Sequence, residues 1–83
     1  MENYSYTTSG VCARQILFAI ENGKLRNVKF VGGCPGNLLA IGKLVEGADA
    51  AKIAEILEGN DCGGKGTSCA DQLSRAIRQA LGR

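Results

Sequence analysis

Arg14-Gln15-Ile16-Leu17-Phe18-Ala19-Ile20-Glu21-Asn22-Gly23-Lys24-Leu25-Arg26-Asn27-Val28-Lys29-Phe30-Val31 decides the first half of the fold. Two runs rich in Ile, Leu, Val and Phe flank Asn22-Gly23, the residue pair that most readily supplies the positive φ angles of a tight hairpin turn. Ahead of them, Tyr4-Ser5-Tyr6-Thr7-Thr8 alternates large and small side chains and has strand propensity, with Gly10 as its stop. These three runs predict a three-stranded antiparallel sheet.

Beyond Val31 the apolar period changes. Leu38, Ile41, Leu44 and Val45 recur at helical spacing, and Gly47 ends the pattern. Asp49 is placed to cap a second helix, with Ile53, Ile56 and Leu57 as its apolar stripe and Gly59 as its stop. In the third helix Leu73, Ala76, Ile77, Ala80 and Leu81 follow the spacing of one buried face. Strands followed by helices predict an α+β fold, a three-stranded antiparallel sheet with three helices packed on one face. No repeat or linker interrupts residues 1–83, which read as a single domain.

Composition narrows the function. Ten Lys and Arg against eight Asp and Glu leave a net charge of +2, too small to argue for nucleic acid or an anionic membrane. The basic residues lean toward the two ends and the acidic ones toward the middle, as solvated faces would have it. No apolar run approaches the ~20 residues that span a bilayer, and Met1-Glu2-Asn3-Tyr4-Ser5 lacks the basic start of a secretion signal. The expected address is cytoplasmic, where stable disulfides are rare. With no histidine in the chain, imidazole base catalysis and a Ser–His–Asp triad are excluded, and no catalytic residue is assigned.

The four cysteines, Cys12, Cys34, Cys62 and Cys69, carry the functional signal. None forms a CxxC pair, so the fold must bring them together. With Asn22 and Gly23 in the turn, Glu21 faces Lys24 and paired positions sum to 45. Cys12 then lies opposite Gly33, next to Cys34. The first helix leaves Cys34 over roughly eleven residues, ~16 Å of rise, and an antiparallel second helix would return Cys62 to the same place. The glycine-rich Gly63-Gly64-Lys65-Gly66-Thr67-Ser68 can bend tightly and deliver Cys69. Pro35 suits a first helical position, making Cys34 an N-cap, and Ser68 with Asp71 fits a capping box that sets Cys69 in a first helical turn. Helix N-termini favour thiolate over thiol, the form that binds metals and attacks disulfides.

Three readings of the cysteines follow: a four-thiolate zinc or iron–sulfur site, a thiol–disulfide redox pair, or unrelated buried side chains. Convergence favours the first. Gly59-Asn60-Asp61-Cys62-Gly63-Gly64-Lys65-Gly66 comes within one residue of a phosphate-binding loop. Gly66 stands where Ser or Thr would bind magnesium, and the loop follows a helix, so a nucleotide triphosphate site is rejected. Asp61 and Asp71 flank the cysteine loop as candidate acids or bases, with surface solvation and helix capping as the plainer roles. Tyr4, Tyr6, Phe18 and Phe30 read as core.

Residues 63–73, Gly-Gly-Lys-Gly-Thr-Ser-Cys-Ala-Asp-Gln-Leu, resemble the TSCPD domain family, with Ala70 in the place of the proline in its name. Val28 to Leu38 and Thr8-Ser9-Gly10-Val11-Cys12 are similar to its four-cysteine, stand-alone branch. The resemblance implies association with ribonucleotide reductases, notably cobalamin-dependent ones, that carry such a domain at the C-terminal end. A chain of 83 residues has no room for the barrel and nucleotide sites of that enzyme, so the implied role is auxiliary. Implied partners are a ribonucleotide reductase or another redox enzyme, with a nucleotide- or nucleic-acid-binding accessory domain as a further alternative. The element order is also similar, more weakly, to iron–sulfur scaffold proteins of the IscU and NifU kind. There Cys12, Cys34 and Cys69 would match three cluster ligands and Cys62 would add a fourth.

Overall fold

The structure is a computed structural model that describes residues 2–11, 13–33, 35–60 and 66–82. Three strands, β1 (Glu2–Thr7), β2 (Ala13–Glu21) and β3 (Lys24–Gly32), form an antiparallel sheet in the order β1-β2-β3. Three helices follow: α1 (Pro35–Val45), α2 (Ala50–Leu57) and α3 (Cys69–Ala80). The α+β class and the element order are those read from the sequence. None of the helices is long and apolar enough to cross a membrane.

The hairpin turns at Asn22 (φ 52°) and Gly23 (φ 77°), with Glu21 opposite Lys24 as expected. The register then slips twice. Between the Leu17↔Lys29 and Ala19↔Arg26 pairs β3 carries one extra residue, and Asn27 sits there at φ 56°. Between Ala13↔Gly32 and Gln15↔Val31 the extra residue is in β2. The first bulge has a clear purpose. Strict alternation would send Leu25 to one face and Val28 and Phe30 to the other; one extra residue brings all three onto the helix-covered face. The second bulge undoes the shift, so the final pair has the register set by the turn.

Tyr4, Tyr6, Ile16, Phe18, Leu25, Val28 and Phe30 belong to the core, which Val45, Ala50, Ala54, Leu73, Ala76 and Ile77 complete from the helices. The Tyr4 and Phe18 rings stack with centroids 5.3 Å apart. α3 buries the expected face, with Leu73 and Ile77 fully enclosed. The other helices differ from expectation in one residue each. Leu44 is 82% exposed, because α1 rests on Leu38, Ile41 and Val45. Ile56 is 62% exposed, because α2 turns Ala50 and Ala54 inward with Ile53 and Leu57 at its flanks. Small residues let α2 approach α3, where the Ser74 hydroxyl reaches the Ala54 carbonyl at 2.7 Å.

α1 approaches β3 at Gly42, where an added Cβ would stand 2.7 Å from the Val28 carbonyl oxygen. Gly42→Ala should therefore destabilise the fold. The helix-propensity gain of about 1 kcal/mol is outweighed by an overpacking cost of about 1–3 kcal/mol against backbone that cannot rotate away. Urea unfolding would show a lower midpoint with an unchanged slope.

The α1–α2 connection is pinned to the hairpin. Leu25 N–H donates to the Ala48 carbonyl (2.8 Å), Gly47 N–H to the Leu25 carbonyl (2.7 Å) and Ala50 N–H to the Gly23 carbonyl (2.8 Å). Asp49 caps α2 as expected, accepting from Lys52 N–H at 3.1 Å. α1 therefore lies along β3 and α2 along α3. The two helices thus pack chiefly on different neighbours, while the end of α2 reaches the start of α3, which is joined to the β1–β2 connection. The expected return to Cys34 falls on a position outside the described residues.

Candidate metal centre

Cys12, Cys34 and Cys62 lie outside the described residues, as do Asp61 and the Gly63-Gly64-Lys65 stretch. Cys69 is described: a half-buried free thiol on the first residue of α3. Among the described residues no three Cys, Asp or Glu side chains gather as metal ligands would. What the structure does describe is the set of chain segments on either side of the cysteines, and how they are joined.

The start of α3 is the junction. Ser68 is its N-cap, with Oγ accepting from Asp71 N–H at 3.1 Å, as the capping motif requires. The same hydroxyl donates to the Asn60 carbonyl and accepts from Asn60 Nδ2 at 3.2 Å. The segment carrying Cys62 is thus closed at its base, residue 60 against residue 68. Gly59 and Asn60 follow α2, so a helix and not a strand precedes the glycine-rich stretch, in keeping with the rejection of a phosphate-binding loop.

Asp71 departs from the capping box. Its carboxylate does not serve the solvated or reciprocal-cap role expected; it is 3% exposed and accepts three donors. Gly59 N–H reaches Oδ1 at 2.7 Å, the Thr67 hydroxyl reaches Oδ2 at 2.6 Å, and Arg75 Nε reaches Oδ2 at 2.9 Å. Burial pushes its pKa up, but the bonds from Thr67 and Gly59 and the charge of Arg75 outweigh that and hold the carboxyl below its ordinary value. With these donors engaged, Asp71 is a structural anchor and not a free acid or base.

Gln72 links this junction to the β1–β2 connection. Its Nε2 donates to Thr67 Oγ1 at 3.0 Å, and its Oε1 accepts from Ser9 N–H at 3.3 Å. A Cβ on Gly10 would stand 3.7 Å from Thr67 Cγ2. The connection is itself closed by Thr8, whose hydroxyl donates to the Ala13 carbonyl and whose N–H donates to the Arg14 carbonyl. On the far side of Ala13 lies Gly33, at φ 80°, where a Cβ would stand 3.0 Å from Ala13 N and 2.7 Å from Leu38 Cδ1.

Residues 8–10, Ala13, Gly33, residues 59–60 and residues 67–72 are therefore linked in one continuous chain of contacts. In the sequence these stretches include Cys69 and come within two residues of Cys12, Cys34 and Cys62. Thr67, Gln72, Asn60 and Ser9 had no assigned role in the sequence reading. The available signal was polarity at the buried end of α3: Thr67, Ser68, Asp71, Gln72 and Ser74 are all buried, and buried polar groups need partners.

The donor chemistry fits a thiophilic metal. Four sulfurs and no imidazole make a soft set suited to zinc or iron–sulfur binding. Nothing among curated proteins or solved structures matches the chain. The model of the TSCPD domain matches residues 1–81, and with its Thr67-Ser68-Cys69 and Asp71 at the polar junction just described, the chain belongs to the TSCPD domain family.

Proposed function

We propose that Cys12, Cys34, Cys62 and Cys69 form a four-thiolate site for zinc or an iron–sulfur cluster, in a module auxiliary to ribonucleotide reduction or to another redox enzyme. One observation carries the reading: the hydrogen bonds made by Thr67, Ser68, Asp71 and Gln72 tie the segments beside two cysteine positions, Cys12 and Cys62, to the helix start bearing the third, Cys69. A site built from sequence-distant thiolates needs its supporting backbone held in place, and a buried polar network does this more specifically than apolar packing. The Gly33–Ala13 approach adds the segment beside the fourth position.

Within such a site the metal supplies either structural cross-linking or electron storage. The chain's own residues supply charge-stabilising backbone N–H groups at the start of α3 and the anchoring network beneath them. Both parts suit an accessory domain.

The test is elemental analysis and an optical spectrum of protein purified anaerobically, with each of the four Cys→Ser variants. Wild type should carry near-stoichiometric metal, colourless for zinc and brown for iron–sulfur, and each variant should lose most of it. Chelation of the wild type should lower its melting temperature, because a ligand bound only by the folded state stabilises it. Undiminished metal in all four variants defeats the proposal. A metal-free protein with one reversibly oxidised thiol pair would place it among thiol–disulfide carriers instead.

A further inference from the structure

The sheet has two edges, and they are treated differently. Along β3 the backbone of Gly47–Ala50 closes the strand near the turn, and Asn27 N–H donates to Glu46 Oε1 at 2.8 Å. β1 has β2 on one side, and no described segment pairs with the other. Alternate N–H and C=O groups of Glu2–Thr7 therefore point outward without strand partners. Edge strands that stay alone are usually guarded by lysine, proline or a bulge. β1 reads Glu-Asn-Tyr-Ser-Tyr-Thr, has none of these, and keeps an unbroken register with β2. Beside it a shallow groove runs along α3, lined by Tyr4, Tyr6, Ala76 and Ala80.

We infer that β1 pairs antiparallel with β1 of a second copy of this chain, joining two sheets into one of six strands. A two-fold axis perpendicular to the sheet keeps both sets of helices on one face, and it sets residues of equal parity opposite each other. With Ser5 facing Ser5 of the second copy, Tyr4 faces Tyr6, Asn3 faces Thr7 and Glu2 faces Thr8. The tyrosines then meet over the groove, and no like charges oppose each other. Charge also selects this register. Thr8 pairs with Arg14 through its N–H at 3.2 Å, so Arg14 of one copy lies one strand beyond Glu2 of the other. Both residues are exposed, and neither forms an ion pair among the described residues. An identical strand thus satisfies the backbone, the aromatic groove and both charged ends together.

Sedimentation velocity of the full chain, in reductant so that cysteine cross-links do not imitate association, should show a species of twice the monomer mass between micromolar and millimolar concentration. Hydrogen exchange should show alternate β1 amides gaining protection as concentration rises. Ser5→Lys sets two like charges on the two-fold axis and should weaken association by about tenfold or more, with circular dichroism reporting an intact fold. Arg14→Glu should weaken it by about threefold, and adding Glu2→Arg should restore it. A chain that stays monomeric throughout the range overturns the inference. So does a dimer whose affinity is the same in folded Ser5→Lys, Arg14→Glu and wild-type proteins.

Discussion

Replacing Asp71 with alanine is expected to lower the unfolding free energy by about 3 kcal/mol, a fall in melting temperature of roughly 15 °C for a domain of this size. The loss is chiefly that of the bonds its carboxylate accepts. The buried Thr67 hydroxyl would be left without its acceptor, and the part-buried bond from Gly59 N–H would be lost. Arg75, half exposed, can rehydrate and adds little. Urea unfolding in the presence of chelator separates this effect from any change in metal content. Asp71→Asn keeps the shape and one acceptor and should lose less, and it should also change the acid limb. The native carboxyl titrates below its ordinary value of 3.8, so the stabilisation that it brings is complete above that pH and fades as pH falls through the native pKa. The stability gap between wild type and Asp71→Asn should accordingly shrink in acid; a gap that widens there would refute the assignment.

Gly33→Ala is expected to cost a similar amount, about 3 kcal/mol, for a different reason. Positive φ alone costs a residue with a Cβ about 1–2 kcal/mol, and Gly33 sits at φ 80°. The rest comes from crowding: the new methyl would stand 2.7 Å from Leu38 Cδ1 and 3.0 Å from the Ala13 backbone nitrogen. Leu38 can turn away, whereas Ala13 N belongs to the strand. Gly23→Ala provides the comparison, because Gly23 has nearly the same φ, 77°, with nothing within 4 Å of an added Cβ. Equilibrium unfolding should show the Gly33 variant losing clearly more than the Gly23 variant. Equal losses would mean that the strand end yields to the methyl and does not hold its neighbours closely.

The main chain was legible wherever local chemistry decides it. Asn22-Gly23 dictates the hairpin, and Asp49 and Ser68 mark helix starts because their side chains satisfy N–H groups within the same turn. The bulge at Asn27 had a local trace too: the apolar spacing of Leu25, Val28 and Phe30 is three and then two, which no unbroken strand can place on one face. Periodicity overreached at Leu44 and Ile56, since a helix resting on one neighbour buries a narrower stripe than its apolar residues suggest.

For the candidate site, sequence reading located the helix start at Cys69, but not what holds the surrounding segments. The bonds from Gln72 to Ser9 and from Asp71 to Gly59 join residues 63 and 12 positions apart. They depend on which helix packs where. That choice was made by backbone bonds between Gly47–Ala50 and the hairpin, which leave no periodic signature. The same fastening brings the end of α2 to the start of α3.

The paired bulges bear on how this hairpin can change in length over descent. An insertion in β3 is offset by one in β2, and the strand ends come back into step. Removing either alone would leave Ala13 and Gly32 mismatched by a residue. Related chains should thus gain or lose strand residues two at a time, one from each side, whereas the turn between them is free to drift.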